Sequence, residues 1–348
     1  MLKIRVNSAP TSVQPLKIVS IGGGNGLSTL LRGLKRYAKA SAGALDIAAI
    51  VTVTDDGGSS GRLRRDFDVL PPGDIRNCMV ALSEDEALLS RLFQYRFSNG
   101  RGLKGHSFGN LFLTAITHLT GDFGQAVKLS SEVLAVRGRI YPGTSANVVL
   151  EATLADGKKI TGETRISRSR SRIERIALRP SRPKPLAGAL KAIAEADLIT
   201  LGPGSLFTSV IPNLLVDGVA AAIARSPALK AYIVNLMSQP GETTNFRASD
   251  HLAALLGHAG RSRRGLIDVC VVNTRAIGGP ALDRYQRQAA RPVETDFDNL
   301  ARMGAKVLGA DLVRASAVQP KAKIRHDPTV LGAVVLELAQ QGRCLKRE

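Results

Sequence analysis

The sequence predicts an α/β protein in three layers: a mostly parallel, doubly wound sheet between helices, with a small antiparallel β insert. Three observations carry this. Short apolar runs recur along the chain, each ending in a loop rich in glycine or asparagine. Leucines at helical spacing follow the first such loop, as at the opening of a doubly wound unit. Near the middle, two β-patterned runs flank Asp156-Gly157, a hairpin signal. The 348 residues are enough for such a core and its insert.

In chain order, a polar tail over 1–16, interrupted by Pro10 and Pro15, shows no apolar leader core. Residues 17–139 then read as the first half of the core. Its first strand, Leu16 to Ile21, runs into Gly22-Gly23-Gly24-Asn25-Gly26 and a helix beginning near Leu27. A second strand, Ile47 to Val53, ends at Thr54-Asp55-Asp56-Gly57. After Pro71-Pro72-Gly73, Asp74 is placed to cap a helix running towards Phe97. The loop from Gly105 to Asn110 opens another helix over Leu111 to Leu119. Residues 140–185 read as the antiparallel insert with a basic linker, its hairpin formed by Val148–Leu154 and Lys159–Ile166. Residues 186–348 read as the second half. Its strands end at Gly202-Pro203-Gly204-Ser205, at Asn235 and at Asn273, a late strand covers Ala305 to Val313, and a helix closes the chain from Pro328.

Composition narrows the function. Hydrophobic residues are 44% and charged residues 22%, which excludes a largely disordered chain. Three scattered cysteines make neither a disulfide framework nor a zinc site. No apolar run approaches the length of a membrane span, and the expected location is cytoplasmic without membrane insertion. Lys plus Arg is 48 against 29 acids, a net charge of +19. The stretch Arg165–Lys184, with eight bases and one acid, supplies +7 of it. Within it Arg168, Arg170 and Arg172 alternate with serines, so an extended strand would project all three from one face. Aromatics are only 4% and Trp is absent, which disfavours nucleic acid stacked on aromatic platforms.

The chemistry-bearing residues cluster at the predicted strand ends. Gly23, Gly24, Asn25, Gly26 and Leu27 form a glycine turn at a helix N-terminus, suited to a phosphate or diphosphate. The turn is not a Walker A loop. It fits the dinucleotide G-x-G-x-x-G imperfectly, since counting from Gly24 the third glycine is Thr29. Asp55 and Asp56, with Asp74, offer carboxylates for Mg²⁺ completed by ligand phosphates. The alternatives are a ribose contact from Asp55 or Asp56, or a turn and a helix cap only. Asn77, His106, Asn110, Gly202, Gly204, Ser205, Asn235 and Gln239 lie at or beyond strand ends or turn-to-helix junctions, on the edge where α/β sheets hold ligands. Tyr285 and Arg325 read either as a solvated helix face and a cap or as contacts to the sugar or uridine part of a ligand, the tyrosine by packing and the arginine by pairing with phosphate. His118 and His258 sit in apolar helical patterns and read as structural.

Taken in order, GGGNGLSTLLRGLK from Gly22, VTVTDDGGSSGRLR from Val51, PPGDIRNCMVALS from Pro71, GHSFGNLFLTAI from Gly105, LGPGSLFTSVIPNLLV from Leu201 and NLMSQPGET from Asn235 resemble the bacterial gluconeogenesis factor family. That family is similar to the 2-phospho-L-lactate transferases of deazaflavin coenzyme synthesis. The resemblance implies a Rossmann-like core, a nucleotide-sugar ligand such as UDP-N-acetylglucosamine, and a role in cell-wall morphogenesis and growth on gluconeogenic carbon. Candidate partners are then cell-wall synthesis proteins and a second copy of the chain. By the same resemblance Asp55 or Asp56 with Asp74 are the metal-contacting carboxylates of the transferase branch, so a Mg²⁺-dependent phospho-group transferase is the competing expectation. The transferase branch carries an aromatic stretch after its paired aspartates; Gly57-Gly58-Ser59-Ser60 stands there in this chain.

Overall fold

The computed structural model describes residues 14–40, 44–84, 87–169, 171–314 and 323–346. Ten strands there form two sheets: β1 Leu16–Gly22, β2 Leu45–Val51, β3 Arg139–Pro142, β4 Val149–Leu154, β5 Lys159–Thr161, β6 Ile173–Arg179, β7 Leu198–Leu201, β8 Leu229–Ile233, β9 Val269–Asn273 and β10 Lys306–Ala310. The seven-stranded sheet has the order β10-β9-β8-β7-β1-β2-β3 and every pair in it is parallel. Sequence order therefore reverses direction across the sheet between β1 and β7. That switch point is where a doubly wound sheet leaves a crevice at its carboxyl edge. The expected α/β class, a parallel three-layer core with a small antiparallel insert, is the one observed.

The core follows from the pattern that predicted it. Leu27, Leu30, Leu31 and Leu34 share one face of the helix Gly24–Ala40 and are fully buried against β1, as helical spacing requires. The closing helix Pro328–Leu345 crosses the first one closely. A Cβ on Gly33 would stand 2.0 Å from the Pro328 carbonyl oxygen, and one on Gly332 2.8 Å from the Gly33 carbonyl carbon. Backbone meets backbone there because neither residue carries a side chain.

Four local expectations change. Residues 140–142, assigned to the insert, belong to β3, which pairs with β2 on the edge of the main sheet. The helix after Asp74 spans Gly73–Leu82 and stops at Ser83, with a separate helix Ala87–Gln94 beyond it. Pro72 holds the cap position and Asp74 lies inside the first turn. Strand character beyond Thr161 gives way to a helical turn, Glu163–Ile166, so the β4–β5 hairpin is shorter than predicted. The arginine row does not share a strand face: β6 begins only at Ile173, Arg168 sits in a turn, and Arg170 lies outside the described residues.

Candidate functional site

The turns after β1, β7 and β8 enclose a cleft of about 380 Å³ at the switch point. Gly23, Gly24, Asn25 and Gly26 line it from β1, Gly204 and Ser205 from β7, and Asn235 and Gln239 from β8. Tyr285 and Arg325 come in from the C-terminal part, and Asp74 from the helix beside β1. Of the residues singled out by sequence, these eleven share one cavity.

Each glycine of the turn has its own geometric reason. Gly24 adopts φ +61°, a conformation that costs an L side chain roughly 1–2 kcal/mol. A Cβ on Gly23 would stand 2.6 Å from Thr52 Cγ2 and 2.7 Å from Asp74 Oδ2, and one on Gly26 2.3 Å from the Pro203 carbonyl oxygen. The turn thus lets the helix N-terminus close on the β7 loop. The first N–H groups of a helix have no intrahelical acceptor, and here they face the cleft with the positive end of the helix dipole. Thr29, standing where the dinucleotide fingerprint has its third glycine, donates to the Asn25 carbonyl at 2.7 Å and accepts from Arg32 at 3.1 Å. Burial lowers the Arg32 pKa, and repulsion from Arg325 and Arg314 adds to the lowering. Arg32 is thus repelled by two other guanidinium groups, of which Arg325 lines the cleft, and this makes that wall attractive to an anion.

The acids lie on the other side of the glycine turn. Burial and then the neighbouring Asp55 charge push the Asp74 carboxyl up to about 7, while the Gly24 N–H and Arg76 pull it back. Asp55 takes the Gly57 N–H at 2.8 Å, and its Oδ2 would lie 3.0 Å from a Cβ on Gly73, at the root of the Asp74 helix. Asp56 points elsewhere. Its Oδ1 accepts from the Thr164 N–H at 2.9 Å and from Thr164 Oγ1 at 2.6 Å, tying the insert to β2. Glu163, from that same insert, lines the cleft with its carboxyl pushed well above the usual range by burial and then by Asp55 and Asp74. Among the described residues no three His, Cys, Asp or Glu side chains are grouped to hold a metal alone. Asp55 and Asp74 nonetheless fit Mg²⁺ completed by phosphate oxygens, because a divalent cation would relieve the repulsion between them.

Asn77, His106 and Asn110 gather in a second polar cluster behind these acids, away from the cleft lining. His106 Nδ1 meets Ser59 Oγ at 3.0 Å, and Asn110 Nδ2 reaches Ser60 Oγ at 3.5 Å. Arg76 bridges Ser107 Oγ and Asn77 Oδ1. Burial and the cations Arg62 and Arg96 lower the His106 pKa. The loop Gly57–Ser60 folds between this cluster and Asp74, since a Cβ on Gly73 would already stand 2.5 Å from Ser60 Oγ. Leu27 is fully buried in the core, and Gly202 serves the sheet by donating to the Ile21 carbonyl at 2.8 Å. His258 is structural, accepting from the Ile176 N–H at 3.0 Å and so holding β6.

Nine lining residues escaped the sequence, Glu163, Ser209 and His326 among them. Glu163 sat in what read as a strand of a remote insert; the Asp56–Thr164 tie and a hydrogen bond from Thr54 Oγ1 to its carboxylate at 3.4 Å bring it in. Ser209 lies in the buried helical turn after Ser205, where it looks like core. His326 adjoins Arg325, whose selection was the available signal; the residue is 8% exposed and closes the wall beside β8.

Comparison with known proteins now has a site to refer to. Residues 18–313 match the family described as 2-phospho-L-lactate transferase CofD. A putative gluconeogenesis factor of Nostoc is 50% identical over 92% of this chain and 68% of its own length. The gluconeogenesis factor of Bacillus subtilis is 45% identical over 94% of this chain and 99% of its own. A crystal structure of a Bacillus halodurans protein superposes with TM-score 0.86 at 44% identity, covering 92% of this chain and 99% of that one. Both the order of strand-end motifs and the overall likeness place the molecule in one group: the chain belongs to the 2-phospho-L-lactate transferase CofD family, alongside relatives named gluconeogenesis factor.

Proposed function

We propose that the cleft binds a nucleotide sugar of the UDP-N-acetylglucosamine type, and that the protein acts in the cytoplasm as a gluconeogenesis factor supporting cell shape and cell-wall morphogenesis on gluconeogenic carbon. One observation carries the ligand class. A glycine turn at a helix N-terminus shares a cleft with Arg325, whose charge also repels the nearby Arg32. A diphosphate is the anion that such a helix end and guanidinium pair receive together. Tyr285 supplies a ring for a sugar or base, and Asn235 and Ser205 supply polar contacts. The gluconeogenesis-factor role follows the name its relatives carry, and the cell-shape role follows the family resemblance.

A second reading has its own support in the family description and in Asp55 and Asp74. In it the protein transfers a phospho-linked group from a nucleotide-activated donor. Asp55 and Asp74 would hold Mg²⁺, which when bound neutralises the diphosphate leaving group. The glycine turn would keep that diphosphate in place, and Arg325 would stabilise its charge. Titration of UDP-N-acetylglucosamine by calorimetry, with Mg²⁺ and with chelator, followed by chromatography for product, separates the two. Binding without turnover supports the regulatory reading, product formation supports the transferase, and absence of binding in both conditions removes the first.

A further inference from the structure

His326 forms part of the cleft wall, yet the reading above gives it no task. Its ring is hydrogen-bonded to the backbone carbonyl of Val234, just past β8, while Nε2 is buried without a partner. A carbonyl can only accept, so the ring nitrogen facing it carries the proton. Burial pushes the imidazole pKa down to about 4, which keeps the ring neutral near pH 7. With one nitrogen protonated in a neutral ring, the other is a bare lone pair. Nε2 is therefore an acceptor whose tautomer the backbone has fixed.

Gln239 repeats the pattern on the same cleft. Its Nε2 donates to Ser205 Oγ at 2.8 Å, and its Oε1 is buried with no partner. Buried polar atoms are nearly always satisfied, so two unpaired acceptors on one cavity point to a missing set of donors. Their position matters as well. β8 lies two strands from β1, across β7, roughly 10 Å at ordinary strand spacing. The cleft offers N–H donors and cations at the glycine turn and acceptors at the β8 end.

We propose that His326 is a specificity-determining residue that accepts a hydrogen bond from a donor group, a hydroxyl or a ring N–H, on the part of the ligand remote from its diphosphate. The proposal rests on the nucleotide-sugar reading of the cleft and adds an orientation to it: oxyanions at the turn, donors at His326. A ligand presenting only acceptors or carbon at that end leaves Nε2 unpaired and is rejected on that account.

The test is calorimetric titration of UDP-N-acetylglucosamine and of UDP into the wild type, His326→Leu and His326→Gln, with circular dichroism confirming the fold. Leucine removes the acceptor, whereas the glutamine Oε1 restores one. His326→Leu is expected to weaken UDP-N-acetylglucosamine binding about tenfold or more, and His326→Gln to recover most of the loss. A loss that persists with UDP locates the donor on the uridine; a loss confined to the sugar nucleotide locates it on the hexose; either supports the proposal. Nitrogen-15 spectra of the histidine rings should show Nε2 unprotonated before ligand is added. A folded His326→Leu protein with wild-type affinity for both ligands, or an Nε2-protonated ring, overturns the proposal while leaving the nucleotide-sugar reading intact. A wild type that binds neither ligand overturns that reading and this proposal with it.

Discussion

Asp74 sits where the geometry and the electrostatics of single residues meet most sharply. Its native pKa of about 7 lies above the ordinary 3.8, so the folded protein holds a proton that the unfolded chain has released across that interval. Stability on this account is greatest below pH ~4, declines as pH rises to ~7, and is level beyond. Asp74→Asn should remove the decline. The variant is expected to exceed the wild type in melting temperature near pH ~8, with the margin closing towards pH ~4. About three units bound the effect at about 4 kcal/mol, and contact of Asp74 with the open cleft reduces it. Parallel stability–pH curves for the two proteins would show that the proton is held elsewhere, Glu163 and Glu242 being raised in the same direction.

The glycines next to it separate binding from folding. At Gly24 a Cβ meets nothing nearer than Ser209 Oγ at 3.9 Å, so the strain is only that of φ +61°. Gly24→Ala should fold and bind UDP-N-acetylglucosamine more weakly. Gly26→Ala drives a Cβ into the Pro203 carbonyl, so its loss of binding should come with a lower melting temperature. Calorimetry paired with thermal unfolding checks both, and a Gly24→Ala protein of full affinity argues against phosphate at the turn. At this scale the sequence was readable wherever a residue's backbone conformation was its task. It was unreadable for Glu163, because nothing local to the Glu163–Ile166 turn tells that Asp56 will grip Thr164.

Among the elements, the contact between the helices Gly24–Ala40 and Pro328–Leu345 is the one that couples the core to the site. Gly33 and Gly332 allow backbone contact, and the second helix starts directly after Arg325 and His326. Gly33→Ala should push the helices apart, costing roughly 1–3 kcal/mol as overpacking does, and weaken ligand binding by displacing the two residues at the helix entry. Gly257→Ala is the control. It lies inside the helix Ala248–His258 with nothing within 4 Å, so it should leave the protein as stable or up to about 1 kcal/mol more so. Equal melting temperatures for Gly33→Ala and the wild type would mean that the helices give way freely. Strands with strong apolar runs, β1, β2 and β7 to β9, were legible because burial on both faces leaves no alternation to misread. Four-residue β3, with exposed Arg139 at its start, carries no such run, and its place in the main sheet depends on pairing with β2. The Arg168–Arg172 alternation failed for the opposite reason. A period-two pattern of serine and arginine has no apolar face to bury, so nothing holds it extended.

For the molecule as a whole, the question is what a net charge of +19 is for. Part of the basic stretch is already engaged. Arg179 pairs with Glu151 at 2.7 Å, Arg182 with Asp217 at 3.0 Å, and the Arg172 guanidinium lies 5.5 Å from the Phe246 ring centroid. Arg32, by contrast, is repelled by Arg314 and by Arg325 of the cleft wall, where an anion would be bound. A surface whose cations are individually paired releases few counterions on meeting a polyanion, whereas a site of opposed cations gains from one small anion. Two salt titrations should therefore diverge. Binding of random duplex DNA, measured by fluorescence anisotropy, is expected to be weak at low ionic strength and lost by ~0.15 M salt. Arg168→Ser with Arg172→Ser should leave UDP-N-acetylglucosamine affinity unchanged. Duplex binding that is tight at that salt and disappears in the double variant would assign the insert a polyanion of its own, and the charge would then have two uses rather than one.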